Sequence, residues 1–484
     1  MKIAKLLSVV IVVLLAASIG IAKPNFVQVR NGKFVVGNAP YFFVGANYWY
    51  GALLGREKDK ARGIRRLRKE LDMLRGLGIT NLRVLAGAEG SGLLNGITRV
   101  GPPLQPEKGS FDEDALKGLD LLLFEMRKRN MRAVVYLSNN WEWSGGFQQY
   151  LLWEGRVDAS LATRKPSWDE LRDTVAQFYT CRPCIAAYQT QAAKIVSRRN
   201  TLSRIAYIDD PTIMAWEIAN EPRPMRPASN DAYLDFLQAT AKLVRKLDPQ
   251  HLITTGHEGH IGTESVELFE RAHSDPNIDY VTIHIWPKNW GWLADPDLEK
   301  ALANAENETR KYIAEDLAVA GTLNKPLVIE EFGFPRDGRS FDTNSTTRLR
   351  DRYFELILSN LGTTERGTVA GVNFWAVAGI ARAANADHIW KAGDDYTGDP
   401  PMEEQGLNSV FSTDRSTLRI LKKSRRPSER ALELDSLSGI VRFVCGIYDT
   451  LHGEAILERR RIFDRPPAFA DRLDDLWCEV HEST

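Results

Sequence analysis

Two glutamates stand out as reactive carboxyls because of what surrounds them. Residues 214–222 read MAWEIANEP, an apolar run that stops at Asn220, Glu221 and a proline. Residues 328–333 read VIEEFG, a second apolar run that stops at Glu330 and Glu331. A carboxylate at the end of a buried strand is costly unless it is paired or used. Glu221 and Glu331 are 110 residues apart, so only the fold can bring them to one cleft. A carboxyl pair separated by about 5–5.5 Å performs retaining glycoside hydrolysis. One carboxylate attacks the anomeric carbon. The other protonates the leaving oxygen and then deprotonates water. The charge on the first raises the pKa of the second and keeps it protonated.

The neighbours fit that chemistry. Asn220 is placed to hydrogen-bond a sugar 2-OH, a contact that strengthens in the transition state. Arg83, in NLRVL, is placed to hold the nucleophile ionised. Pattern alone does not choose between Glu330 and Glu331, because strand alternation sends them to opposite faces. Seven of the 12 tryptophans (Trp49, Trp141, Trp143, Trp286, Trp290, Trp292 and Trp375) fall at predicted strand ends. Single tryptophans are usually core, but this clustering suits platforms for the apolar faces of pyranose rings, with Trp375 as the floor. SNNWEWSGG adds Asn139 and Asn140, and HIWPKNWGW adds His284. Glu217 is expected to be a structural buried carboxylate. GHEGH places His257 and His260 around Glu258. The spacing is not H-E-x-x-H and the segment follows a strand, so no metal is expected, and Glu258 is kept as a substrate contact.

These residues need a scaffold that gathers strand ends. Eight short strand candidates occur, at 42–49, 81–85, 133–137, 213–217, 252–256, 280–286, 326–331 and 371–377. Their near-continuous apolar character suits parallel strands buried on both faces. Amphipathic stretches at 63–79, 112–131, 231–249 and 346–362 carry helical stripes. The pattern predicts an α/β fold, a (β/α)8 TIM barrel with long βα loops, whose C-terminal strand ends form the catalytic face. A doubly wound sheet would want a Gly-rich phosphate turn after its first strand, and GANYWYG is not one.

The chain of 484 residues is 43% hydrophobic and 26% charged, with Lys+Arg and Asp+Glu both at 63. That balance gives no electrostatic case for nucleic acid or an anionic membrane. Residues 1–22 read as a signal peptide: Lys2 and Lys5, an apolar core, then small residues up to Ala22. The predicted organisation is a signal peptide (1–22), a barrel (23–425) and a helical or partly disordered tail of unknown role (426–484). The mature protein is expected to be secreted or periplasmic, monomeric and free of the membrane. Cys181 and Cys184 form a C-x-x-C that suits a local disulfide in an oxidising compartment. Free thiols remain the alternative.

Taken together, the order of LSNNWEWSGGFQQYLLWEG, YIDDPTIMAWEIANEPRP, HIWPKNWGW and VIEEFG resembles glycoside hydrolase family 5 of clan A, specifically its secreted endo-β-1,4-mannanases. The resemblance implies Glu221 as acid/base and Glu331 as nucleophile, the glutamate immediately before Phe-Gly. It implies a supporting shell of Asn220, Arg83, His284 and Trp375, sugar contacts from Arg223 and Trp141, and no cofactor; Trp49, Asn140 and Glu258 are kept as substrate contacts from their places at the strand ends. Many family members carry, two residues after the strand-six histidine, a tyrosine that donates to the nucleophile. Here that residue is Trp286, whose indole N–H can donate with a different geometry. The implied substrate is a β-mannan-type polysaccharide. A β-1,4-glucanase on the same barrel, and a non-catalytic polysaccharide-binding protein on a hydrolase scaffold, are the alternatives.

Overall fold

The computed structural model describes residues 25–424 apart from residue 57. The expected signal peptide and the tail from residue 426 lie outside the described residues.

Eight parallel strands make the barrel wall. In chain order they are β1 (Phe43–Asn47), β2 (Asn81–Leu85), β3 (Arg132–Tyr136), β4 (Ile213–Glu217), β5 (Leu252–Thr254), β6 (Val281–Ile285), β7 (Leu327–Phe332) and β8 (Gly367–Phe374). Paired neighbours run β5-β4-β3-β2-β1-β8-β7-β6, every pair parallel. Between β5 and β6, single bonds take over from a ladder. The Asp279 N–H donates to the Ile253 carbonyl (2.8 Å), and the His284 N–H to the Glu258 carbonyl (2.8 Å). The Thr254 hydroxyl donates to the Tyr280 carbonyl (3.0 Å).

A helix follows each strand: α1 (Lys60–Leu77), α2 (Glu113–Arg127), α3 (Arg182–Val196), α4 (Asn230–Leu247), α5 (Val266–Ser274), α6 (Leu298–Thr322), α7 (Arg348–Leu358) and α8 (Arg415–Lys423). Their ends follow ordinary capping chemistry. Asp59 and Asp112 accept from backbone N–H groups in the first turns of α1 and α2. Gly78 closes α1 at φ 83°, a left-handed position that glycine takes without penalty. The Asp248-Pro249 step ends α4. Cys181 and Cys184, at the start of α3, are disulfide-bonded.

The two ends of the barrel differ. Three short antiparallel strands (Val27–Arg30, Lys33–Val36 and Ala39–Pro40) precede β1. Val27 and Phe34 pack into an apolar cluster with Phe43, Met214, Tyr280 and Val328. That cluster closes the N-terminal end, so the polar residues at the strand C-termini face the open one. None of the described helices is long and apolar enough to cross a membrane.

One local feature departs from regular alternation. Along β6 and β7, Ile283 pairs with Ile329 but His284 pairs with Glu331. Glu330 is skipped, as in a bulge that re-aims side chains. As a result Glu330 and Glu331 both approach Arg83, Glu330 at 3.7 Å. The expectation that the two glutamates point to opposite faces fails for this reason.

Candidate active site

The open end holds a cleft of about 570 Å³ lined by Glu221, Glu331, Asn220, Arg223, Glu258 and several tryptophans. β2 supplies Arg83 and β6 supplies His284. Glu331 lies on β7, and the chain leaving β4 and β8 supplies Asn220-Glu221 and Trp375. Glu221 sits at φ 51°, a left-handed conformation that costs a non-glycine residue about 1–2 kcal/mol. Two backbone bonds hold it there: the Glu221 N–H to the Gly256 carbonyl (2.9 Å), and the Asn140 N–H to the Asn220 carbonyl (2.9 Å).

Arg83 organises the floor of the site. It is fully buried. Its Nε donates to Glu217 Oε2 (2.8 Å), Nη2 to Glu217 Oε1 (2.5 Å) and to Asn220 Oδ1 (2.7 Å), and Nη1 to Asn47 Oδ1 (3.1 Å) and to Glu331 Oε1. All five N–H groups are thereby engaged. Asn220 in turn donates to Asn139 Oδ1 (3.0 Å). Glu217 is fully buried against Arg83.

His284 joins the two glutamates. Its Nδ1 lies 2.6 Å from Glu221 Oε1 and 3.3 Å from Glu331 Oε2. Burial, and then the charge of Arg83, push the imidazole pKa well down, so the ring is neutral. One atom from each of Glu221, His284 and Glu331 falls within 4.8 Å of the others. A divalent cation would fit that spacing. However, Arg83 on Glu331 and Arg223 beside Glu221 already supply positive charge, which disfavours a second cation.

Burial raises both catalytic-face carboxyls. For Glu221, burial is opposed first by the charge of Arg223 and then by the Trp141 indole N–H, which donates to Oε2 at 2.5 Å. For Glu331, burial is opposed by Arg83 and reinforced by the Glu221 and Glu217 charges. The two differ in their donors, since Arg83 bonds Glu331 directly and does not bond Glu221, and in how far burial carries them, Glu331 being raised well above the ordinary carboxylate range and Glu221 less so. Trp286 donates its indole N–H to Glu331 Oε2 at 3.2 Å. The tryptophan thus makes the contact that the resemblance assigns to tyrosine.

Around this centre, Trp375 and Trp286 meet edge to face (5.7 Å). Trp290 also lines the cleft. Arg223 forms an ion pair with Glu258, and its guanidinium lies over the rings of Trp141 (5.2 Å) and Trp168 (5.7 Å). Trp141 and Trp168 stack at 6.3 Å.

Three expected contacts are not brought to the cleft. Trp49 is 1% exposed, with its indole N–H bonded to the Gly398 carbonyl (2.8 Å) and its ring packed on Trp143. It is core because the chain after β8 folds over it. The Asn140 side chain is fully enclosed, and only its backbone serves the site, through Asn220. Trp292 packs on Trp290 and Tyr312 outside the cleft.

Conversely, Trp168 and Glu403 line the cleft without having been anticipated. Trp168 opens a short helix, Trp168–Ala176, whose capping box joins Ser167 and Glu170. The S-x-x-E spacing was a legible helix start, and a tryptophan in so polar a segment was the available signal. Glu403 lies in the long connection to α8, where burial raises its carboxyl to about 8. No local pattern marks it.

Comparison with known proteins agrees with this geometry. The family model described as GH family 5 beta-mannosidase-like matches residues 24–431. A putative mannan endo-1,4-beta-mannosidase 9 from Oryza sativa subsp. japonica is 29% identical over 373 residues, spanning 74% of this chain and 82% of its own. The crystal structure of a glycoside hydrolase family 5 mannosidase from Rhizomucor miehei is 32% identical. It covers 83% of this chain and 97% of its own, with a TM-score of 0.75. An endo-beta-1,4-mannanase from Thermotoga petrophila, 20% identical with a TM-score of 0.57 over 80% of this chain and 77% of its own, shares the fold. With its parallel barrel and its paired glutamates at the open end, the chain belongs to glycoside hydrolase family 5, among the β-mannosidase-like members.

Proposed function

We propose that the protein hydrolyses β-1,4-mannosidic linkages within mannan, galactomannan and glucomannan, with retention of configuration and without a cofactor. The observation that carries this reading is the sharing of His284 Nδ1 by Glu221 and Glu331. Facing oxygens of the two carboxyls fall within 4.8 Å of one another, short of the separation of about 6.5–9.5 Å that inversion uses. Glu331 is the nucleophile. Arg83 and Trp286 both donate to it, and the guanidinium bond favours the anion there against burial, which raises Glu331 further than Glu221. Glu221 is the acid/base, lacks a direct guanidinium bond and keeps the proton. Asn220 retains an N–H for the substrate 2-OH. Trp375 underlies the reacting sugar, and Trp141, Arg223 and Glu258 contact the leaving-group side. The Cys181–Cys184 bond suits an oxidising compartment and supports export of the mature chain, 23–425 forming the catalytic domain.

The name of the Oryza sativa relative favours mannan and internal cleavage. A second reading, release of single mannose units from chain ends, is favoured by the more similar Rhizomucor miehei protein, which is named a mannosidase. Incubation with galactomannan, glucomannan and carboxymethylcellulose, with product sizing, separates the possibilities. Rapid viscosity loss and mixed mannooligosaccharides are expected. Mannose as sole early product would favour chain-end action. Cellulose cleavage without mannan cleavage would overturn the substrate assignment.

A further inference from the structure

Behind the two glutamates lie two buried polar atoms with no hydrogen-bond partner, facing each other. His284 Nε2 and Glu330 Oε2 are both enclosed and unpaired, 4.0 Å apart. Both residues are fully buried. The β7 bulge turns the Glu330 carboxyl inward, and the Asn47 side chain donates to its backbone carbonyl (2.7 Å). Glu330 Oε1 accepts from the Tyr280 hydroxyl at 3.3 Å.

We propose that Glu330 is a positioning residue that stays protonated and donates its O–H to His284 Nε2, locking the imidazole in its Nδ1–H tautomer. Three observations lead there. First, the groups facing Glu330 are Arg83 on β2, Glu217 on β4, Tyr280 and His284 from the β6 segment, and Glu331 beside it. One guanidinium already faces two carboxylates, and a third negative charge in so dry a site is costly. Second, Arg83 has no N–H left for Glu330, so an ionised Oε2 would be left unsatisfied. Third, His284 Nδ1 faces both Glu221 Oε1 (2.6 Å) and Glu331 Oε2 (3.3 Å), two acceptors that call for an N–H there, and a neutral imidazole protonated at Nδ1 offers a lone pair at Nε2. That lone pair needs a donor, and Glu330 is the group there. A shift of about 1 Å brings the pair to hydrogen-bond length. Burial, reinforced by Glu217, raises the Glu330 carboxyl well above its ordinary range, in agreement with a retained proton.

The consequence reaches the reacting groups. Only the Nδ1–H tautomer can donate to Glu221 Oε1 both before and after Glu221 gives up its proton, and donate to the Glu331 carboxylate as well. With the opposite tautomer, a lone pair would face Glu221 as it becomes anionic. His284 would then oppose protonation of the leaving group.

The inference rests on the reading of Glu221 and Glu331 given above, so its test includes a readout independent of substrate. Glu330→Gln keeps an N–H donor at similar volume, and Glu330→Leu removes it. Glu330→Gln is expected to hold kcat on glucomannan within about threefold, with the wild-type pH profile. Glu330→Leu is expected to lower kcat by at least about 30-fold at little-changed KM and to shift the basic limb. Long-range ¹H–¹⁵N spectra of ¹⁵N-histidine-labelled full chain, assigned against a His284→Asn variant, are expected to show His284 protonated at Nδ1 in the wild type. Protonation at Nε2 in the wild type would overturn the proposal, whatever the substrate or the folding of the leucine variant. Equal damage from both substitutions would overturn it too, because it would mean that the charge of Glu330 is what matters.

Discussion

Besides the shared His284, each of the paired glutamates has donors of its own, Trp141 on Glu221 and Arg83 and Trp286 on Glu331, and these decide what substitution does. Removing the general acid by Glu221→Gln is expected to lower kcat by about 10²–10⁴ on natural linkages, with a smaller loss for aryl mannosides whose leaving groups need no proton. The wild-type kcat/KM profile is expected to be bell-shaped. Burial raises the Glu221 carboxyl, so the active protonated form persists above the ordinary carboxylate range and is lost as pH rises through the raised value. At low pH, protonation of Glu331 removes the nucleophile. The two limbs belong to the pair rather than to single residues. Glu221→Gln should abolish the basic limb, and an unchanged profile would remove Glu221 from that role. Trp286→Phe deletes the 3.2 Å donor to Glu331 while keeping an aromatic face. A roughly tenfold loss in kcat is expected, equivalent to about 1.4 kcal/mol, with KM nearly constant.

At the scale of elements, the strands and the helices α1, α2, α4 and α7 were legible because each rests on a local cause: apolar runs for buried strands, helical stripes, caps and a proline stop; α3, α5, α6 and α8 were not read. What escaped depends on contacts distant in the chain. The β7 bulge is set by pairing with β6, and a period-two rule cannot anticipate it. Trp49 was misplaced because the chain beyond β8, more than 300 residues later, covers it. The antiparallel strands before β1 were readable, since FVQVRNGKFVV alternates around Asn31-Gly32, both at positive φ, a strong hairpin signal. Glu89 offers a test of how the β2 and β3 loops are joined. It accepts from the Gly146 N–H (3.0 Å), Ser138 (2.8 Å) and Gln191 (2.6 Å), yet burial raises its carboxyl to about 7. A raised carboxyl means that the folded state binds more protons than the unfolded one. Its contribution is therefore fully present below about pH 4.5 and lost as pH rises through 7, on the order of 3 kcal/mol. Urea midpoints at pH 5 and pH 8 should differ less in Glu89→Gln than in the wild type. Equal differences would contradict this assignment.

Across the whole molecule, one end of the barrel is sealed by apolar packing and the other is left polar and open. Stability and chemistry are thereby separated by the length of the strands. Phe34→Ala, in the N-terminal cluster with Phe43 and Tyr280, should destabilise the fold by about 3–5 kcal/mol in urea titration. It should leave kcat per folded molecule unchanged, and a kcat loss would show that the two ends are coupled. At the open end, Trp168 is half-exposed beside Arg223 and Trp141. Trp168→Ala is expected to raise KM for polymeric substrate severalfold with little effect on kcat.

The most direct measurement is azide rescue of the two alanine variants on an activated aryl β-mannoside, with the configuration of the product read by NMR. If Glu331 is the nucleophile, azide enters its vacated place in Glu331→Ala and yields the α-mannosyl azide. If Glu221 is the acid/base, Glu221→Ala still forms the covalent intermediate and azide releases the β-mannosyl azide. The account predicts α from the first variant and β from the second. The reverse assignment, or wild-type hydrolysis by either variant without azide, would contradict it.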